Sequence, residues 1–410
     1  MRNSWRLTML LFALTGVVES LAFGHLGAFT PLYLKQLHVA DTSIPTWTGL
    51  LGALGFVLGL PLLPFWAVWA DRYGRKLIIA RSAYVEAVLF VLAAFSVNVW
   101  MLALARFLTG FVLGNTGIML AAQAETTPRE RLGTAVAIIG AGPVLGQALG
   151  PAFGGQFIEH FGIRGLLLLD AGLTMIIALL LTLILREQLQ PRATSESVWA
   201  SIGAAGRNIV DQPLVVRLFA LNFLVVLGIT TVQPYVPLRI ADLYSGPAAR
   251  LPSTIGLVLT LSGLGMALMT PLWGRLGDRF GFMLVLRLTI IGIVIALVGQ
   301  TVSAALGPFR DWRIAQGLVQ GGVDATIVAL IALRVHPERR SAVLNFSRLP
   351  AQFAWFLGPL LGATTANFGI PVVFGASAVL VGLGGILSVT LRLSAGSAAS
   401  ATGFSANTTE

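Results

Sequence analysis

The chain has 410 residues, of which 56% are apolar and only 11% charged, with a formal net charge of +10 and a mean hydropathy of +0.84. Soluble domains carry about a quarter charged residues, so the composition excludes a water-soluble globule and implies lipid as the solvent. Cysteine is absent, which removes disulfides, thiolate metal sites and cysteine nucleophiles together, and the four histidines, His25, His38, His160 and His336, are too scattered to suggest a metal site.

Apolar runs long enough to cross a hydrocarbon core of ~30 Å, which takes ~20 helical residues, recur from end to end: 7–34, 44–66, 77–97, 99–124, 132–158, 163–185, 214–238, 253–274, 283–304, 308–333, 341–365 and 370–393. They lack the short alternation of barrel strands, so an all-α membrane protein with twelve transmembrane helices is expected. The opening MRNSWRLTMLLFALTG has the basic and apolar parts of a signal peptide. Its apolar run continues to Pro31 without a small-residue cleavage site, however, and is expected to stay as the first span. Most of the 27 Lys and Arg residues, among them Arg72, Arg75, Lys76, Arg129, Arg131 and Arg207, fall in the loops on the side of the two termini. By the positive-inside rule both termini are then cytoplasmic. The basic balance is spread over short loops facing anionic lipid, so no nucleic-acid partner is expected.

After the sixth span comes Pro191, a polar RATSES run, and a stretch in which Val198, Trp199, Ile202, Ala205 and Ile209 share one helical face. This predicts a short helix lying on the inner leaflet. The last residues, SAGSAASATGFSANTTE, have nothing to bury and are expected to be disordered.

A constant offset carries Gly49, Pro64, Trp66, Asp71, Arg72 and Gly74 onto Gly256, Pro271, Trp273, Asp278, Arg279 and Gly281. The same offset carries Arg106, Gly110 and Gly114 onto Arg313, Gly317 and Gly321, and with one residue added GPAFG at 150–154 falls on GPLLG at 358–362. The chain therefore reads as two parallel six-helix repeats. The expected domains are an N-terminal bundle over 1–186, a cytoplasmic linker with the interfacial helix over 187–213, a C-terminal bundle over 214–393 and a disordered cytoplasmic tail over 394–410.

These residues resemble the major facilitator superfamily, in its drug/proton antiporter branch of multidrug exporters. The family's loop between helices 2 and 3 has the pattern G-x-x-x-D-R-x-G-R-R/K, matched by Asp71, Arg72, Gly74, Arg75 and Lys76, with Ala67 in place of the first Gly. Span 4 has the family's Arg followed by Gly at Arg106 and Gly110. Span 5 matches the antiporter pattern G-x3-G-P-x2-G-G with Gly146, Gly150, Pro151, Gly154 and Gly155. The resemblance implies the major facilitator fold, with two pseudo-symmetric six-helix bundles rocking about a central cavity lined by helices 1, 4, 7 and 10. It implies a conformational latch at 71–76, with a weaker second copy at Asp278, Arg279 and Gly281, and a flexing contact between the halves at span 5.

Function is sought in the charges that loops do not explain. Glu19, His25, Glu86, Arg106, Asp170, Arg313 and Asp324 lie within spans, where each charge costs ~2.5–3.5 kcal/mol on insertion scales and so faces a cavity or a partner. Glu86 and Asp170, on spans the family places outside the cavity, are read as structural. Glu19, Arg106 and Asp324, with His25, are the proton-coupling candidates, because carboxyls removed from water exchange protons more readily near neutrality. Glu19 and Arg106 lie at matching depths and are expected to pair. Asp324 is the expected contact for a cationic substrate, with Phe23, Asn115, Asn222, Phe223, Gln316, Gln320 and Trp355 as an adaptable wall. The expected function is export of small lipophilic, cationic compounds in exchange for protons by a monomer in the cell inner membrane, without a cofactor or metal. A lipid flippase or sugar exporter on the same fold is the alternative. An enzyme is disfavoured, since the chain has no H-E-x-x-H, G-x-S-x-G or P-loop pattern.

Overall fold

The computed structural model describes residues 5–185, 213–334 and 349–391, with the side chains of Ala67, Asp324, Ala332 and Arg334 outside the description. The interfacial helix expected in the linker and the tail at 394–410 lie outside the described residues. The elements in order are α1 (Trp5–Gln36), α2 (Ile44–Tyr73), α3 (Arg75–Ala94), α4 (Val99–Leu108), α5 (Asn115–Thr126), α6 (Leu132–Ile184), α7 (Pro213–Val232), α8 (Val236–Leu243), α9 (Leu251–Phe280), α10 (Phe282–Val302), α11 (Leu306–Arg334), α12 (Leu349–Thr365) and α13 (Ile370–Thr390). Among the described residues ten segments are long and apolar enough to cross a membrane. One of these, α6, turns at Gly162 (φ 71°) and so makes two spans, and the 17-residue α12 completes the twelve.

Spans 1 to 3 are α1 to α3. Span 4 is α4 and α5 joined by a 3-10 segment, spans 5 and 6 are the two parts of α6, and span 7 is α7 with α8. Spans 8 to 12 are α9 to α13. Local chemistry sets several of the ends. Asn98 caps α4 by accepting a bond from the Met101 amide at 3.0 Å, and Pro45, Pro252 and Pro371 stand in the first turns of α2, α9 and α13, where a missing N–H costs nothing. Gly74 and Gly281, paired by the internal repeat, end α2 and α9 with φ of 101° and 90°. A side chain is strained in that backbone conformation, so the duplicated glycine is a duplicated turn.

The halves close on each other at the end of the bundle away from residues 5, 185, 213 and 391. There the Tyr235 hydroxyl donates to the Pro45 carbonyl at 3.1 Å, and the Ala152 amide donates to Thr260 Oγ1 at 3.0 Å. Backbones come this near because the facing residues are small. A Cβ on Gly155 would lie 2.9 Å from Ser253 Cα, and one on Gly256 would lie 2.8 Å from the Pro151 carbonyl carbon.

Candidate functional site

Between the halves lies a cavity of about 500 Å³, walled by spans 1, 2, 4 and 5 of the first bundle and 7, 8, 10 and 11 of the second. Among the described residues spans 3, 6, 9 and 12 contribute nothing to its wall. The wall is mostly apolar, with Phe23, Phe56, Met266 and Trp355 among its larger members. Phe56 and Trp355 face each other across the halves in stacked orientation with ring centroids 6.5 Å apart. Gln147, Gln233 and Gln320 give it amide groups, and its described charged residues are Arg106 and Arg313.

Arg313 was not singled out from the sequence as a site residue, although the repeat pairs it with Arg106. Its guanidinium donates to Gln316 Oε1 at 3.0 Å and Gln233 Oε1 at 3.3 Å. Gln316 also accepts from Gln300 at 2.8 Å and donates to Gln320 at 3.4 Å. A row of amides thus runs from the interior of the second bundle to the cavity wall.

The expected ion pair of Glu19 with Arg106 is not formed. Glu19 Oε1 accepts from Asn115 Nδ2 at 2.6 Å, and Arg106 Nε donates to the Leu51 carbonyl at 3.0 Å. The reason is the break in span 4. Matching depths place the two residues face to face only if span 4 is one straight helix, and the 3-10 turn over Thr109–Val112 and Gly114 (φ 94°) re-aim the chain. Arg106 then faces span 2, while Asn115, first in α5, turns to span 1.

Glu19 is buried behind the wall. Of the other candidates, Phe23, Gln320 and Trp355 line the cavity, while Asn115 and Gln316 stand behind it as partners of Glu19 and Arg313. Neither Asn222 nor Phe223 lines the cavity; Asn222 is buried, and Phe223 packs with Val226, Leu227 and Ala354. Asp324 is on α11, and its side chain lies outside the described residues.

His25 has an unexpected partner. Its Nδ1 stands 2.9 Å from Asp170 Oδ1 and its Nε2 3.0 Å from the Gly150 carbonyl, with both side chains fully buried. A carbonyl only accepts, so Nε2 carries a hydrogen. One further proton must then lie between Nδ1 and Asp170, whether on the ring or on the carboxyl, and the pair is neutral as a unit. Asp170, read from the sequence as structural, is therefore tied through His25 to Gly150 of the span 5 pattern.

That pattern has two faces. Added Cβ atoms at Gly146, Gly150 and Gly154 would meet span 1: Leu21 N at 2.9 Å, Leu21 O at 3.1 Å and His25 Cδ2 at 2.5 Å respectively. Gly155 and the Pro151 carbonyl instead face span 8 of the other half. At the other end of the bundle Asp71 pairs with Arg75 at 3.5 Å, and Arg75 with Glu125 at 2.9 Å, all within the first half. Glu125 had no place in the loop pattern read from the sequence. Arg72 rests over the Tyr73 ring and Arg279 over Phe280.

The Major Facilitator Superfamily model matches residues 9–249 and 218–406 of the chain. The multidrug resistance protein MdtG of Enterobacter lignolyticus is 27% identical over 383 residues, covering 92% of this chain and 90% of the relative. MdtG of Klebsiella pneumoniae is 27% identical over 395 residues, covering 95% and 94%. Among solved structures, a bacterial homolog of the human lysosomal transporter Spinster, inward-facing and unoccupied, aligns with a TM-score of 0.77 at 14% identity over 95% of this chain and 97% of that one. The nucleoside transporter NupG aligns with a TM-score of 0.79 at 12% identity, covering 93% and 99%. With its twelve-span architecture, its doubled six-helix plan and a family match over most of its length, the chain belongs to the Major Facilitator Superfamily and is an integral membrane transporter rather than an enzyme.

Proposed function

We propose that the chain exports small lipophilic compounds in exchange for protons, as a monomer in the cell inner membrane with both termini cytoplasmic. The observation that carries this reading is the apolar cavity of about 500 Å³ between the halves, closed at the end away from the termini. Such a cavity suits drug-sized ligands held by apolar area and a few polar groups. The relatives named multidrug resistance protein MdtG support export of several compounds. Proton exchange is supported by the buried carboxyls of the first bundle, Glu19 beside Asn115 and Asp170 beside His25. Alternating access then follows from rocking at the span 5 and span 8 contact, with the charges at 71–76 and at Asp278 and Arg279 joining the halves when the terminal end closes.

A second reading concerns substrate charge. A cationic preference rests on Asp324, whereas Arg106 and Arg313 both reach the cavity wall and favour amphipathic organic anions. Substrate-stimulated proton release from the purified protein tests both readings. Release with ethidium and none with a lipophilic carboxylate supports cation exchange, the reverse supports anions, and release with neither overturns proton antiport. Glu19→Gln is expected to abolish export driven by a pH gradient while downhill flux continues. Full pH-driven export by that variant would remove Glu19 from the coupling path.

A further inference from the structure

Arg106 and Arg313 both line the central cavity, and among the described residues no ion pair includes either of them. Arg106 Nε donates to the Leu51 carbonyl, while its two terminal nitrogens have no hydrogen-bond partner among the described residues. Arg313 is 5% exposed, its terminal nitrogens meet only the amide oxygens of Gln316 and Gln233, and its Nε has no partner. A cation withdrawn from water is costly unless it is paired as well as hydrogen-bonded, so two of them facing one cavity mark a place for an anion. Both reach the same level of span 2. Arg106 is tied to Leu51, and Gln233, the partner of Arg313, precedes Pro234, whose Cγ would lie 3.5 Å from a Cβ on Gly52. One turn further from the sealed end, about 6 Å along the helix from Gly52, Phe56 faces Trp355 of span 11. Pro359, one turn beyond Trp355, sets this register by packing on Gly52, its Cβ 3.1 Å from an added Cβ there. The two ring centroids are 6.5 Å apart and the planes are inclined by 26°, at the wide end of the ~4.5–7 Å range for interacting rings. One ring comes from each half, and both line the cavity.

We propose that the cavity takes flat aromatic rings bearing an anionic group, with the anion between Arg106 and Arg313 and the ring between Phe56 and Trp355. The proposal rests on the reading of the substrate as an organic anion and says which anion. The planar fork of an arginine matches a carboxylate, and charge-assisted bonds to it are stronger than the amide contacts Arg313 now makes. They also occupy the free donors of Arg106. A ring set between two others needs twice the ~3.5–4.0 Å contact distance of carbon atoms, about 7–8 Å, so Phe56 and Trp355 must part by about 1 Å. Trp355 is 38% exposed and Phe56 half-buried, so both side chains can turn that far while the backbone stays in place. With the two levels about 6 Å apart, an anionic group one or two bonds from the ring, as in an arylacetate, reaches both. An aliphatic acid meets only the arginines, an uncharged aromatic only the rings, and an aromatic cation is repelled by the two guanidinium groups.

The test is binding of tritiated naphthaleneacetate to the full-length protein in nanodiscs, without a pH gradient, with cyclohexylacetate, naphthylethanol and naphthylmethylamine as competitors. Each competitor is expected to bind at least about tenfold more weakly. Trp355→Leu is expected to weaken naphthaleneacetate about three- to tenfold and to leave cyclohexylacetate unchanged. Arg106→Gln and Arg313→Gln are each expected to weaken it roughly 10- to 100-fold and to leave naphthylethanol unchanged. If an arginine variant fails to fold, the competitor series on the wild type and Trp355→Leu still decide. Absence of saturable binding at millimolar naphthaleneacetate, competition by the amine equal to that of the acid, or variants that weaken all the ligands alike would overturn the proposal. Flux in liposomes tests the exchange reading separately. Naphthaleneacetate bound in the expected pattern but not moved by a pH gradient leaves the site standing and removes the exchange, whereas ethidium driven by the gradient with no naphthaleneacetate binding keeps the exchange and removes the site.

Discussion

Replacing Gly256 by alanine should open the sealed end of the bundle. The added methyl would stand 2.8 Å from the Pro151 carbonyl carbon and 3.1 Å from Ala152 Cα, and nearer still to the Pro151 oxygen. Ordinary contact begins near 3.4 Å, and these neighbours are backbone of span 5, which cannot turn aside as a flexible side chain would. Overpacking of this kind costs ~1–3 kcal/mol. The contact joins the two halves, so the cost falls on the state in which they touch and is relieved when they part. At ~1.4 kcal/mol per tenfold, the ratio of opened to sealed molecules should rise roughly 5- to 150-fold. Because the chain has no cysteine, a single reporter thiol can be placed at Gln147, on the cavity wall, without background. A membrane-impermeant maleimide added on the sealed side should label Gln147→Cys faster in the Gly256→Ala background. Gly140→Ala on span 5 is the control, since its Cβ would meet nothing within 4 Å. Equal labelling in the two backgrounds would show that the Gly256 contact does not hold the seal.

The His25 and Asp170 pair predicts a difference between two removals: Asp170→Asn can still donate an N–H to Nδ1, whereas Asp170→Ala leaves a buried ring nitrogen unpaired at a cost of ~1–3 kcal/mol. Thermal unfolding of the purified variants in detergent should place Asp170→Ala below Asp170→Asn, and equal midpoints would mean the pair carries no stability. The distribution of basic loops predicts cytoplasmic reporter fusions after Arg81, Arg131 and Gly206 and external ones after Asp41, Ser96, Ser245 and Gly307; one reproducibly inverted hairpin would refute the orientation.

Read alone, the sequence determined the solvent, the twelve spans and the doubled plan. Hydropathy is summed along the chain, and a repeat keeps its spacing whatever the helices touch. The turn glycines Gly74 and Gly281 were legible for the same reason, since a positive φ is a local requirement and both copies retain it. Only the tertiary structure decided which buried groups meet. In lipid a helix is apolar on the side facing a neighbour and on the side facing acyl chains, so composition does not say which face turns inward. His25 finds Asp170 from 145 residues away, and Gln316 comes to join Arg313 and Gln300, through helix rotations that no periodicity records. The pairing of Glu19 with Arg106 failed at a single break, because the turn at 109–114 rotates one half of span 4 against the other while its hydropathy runs on unchanged.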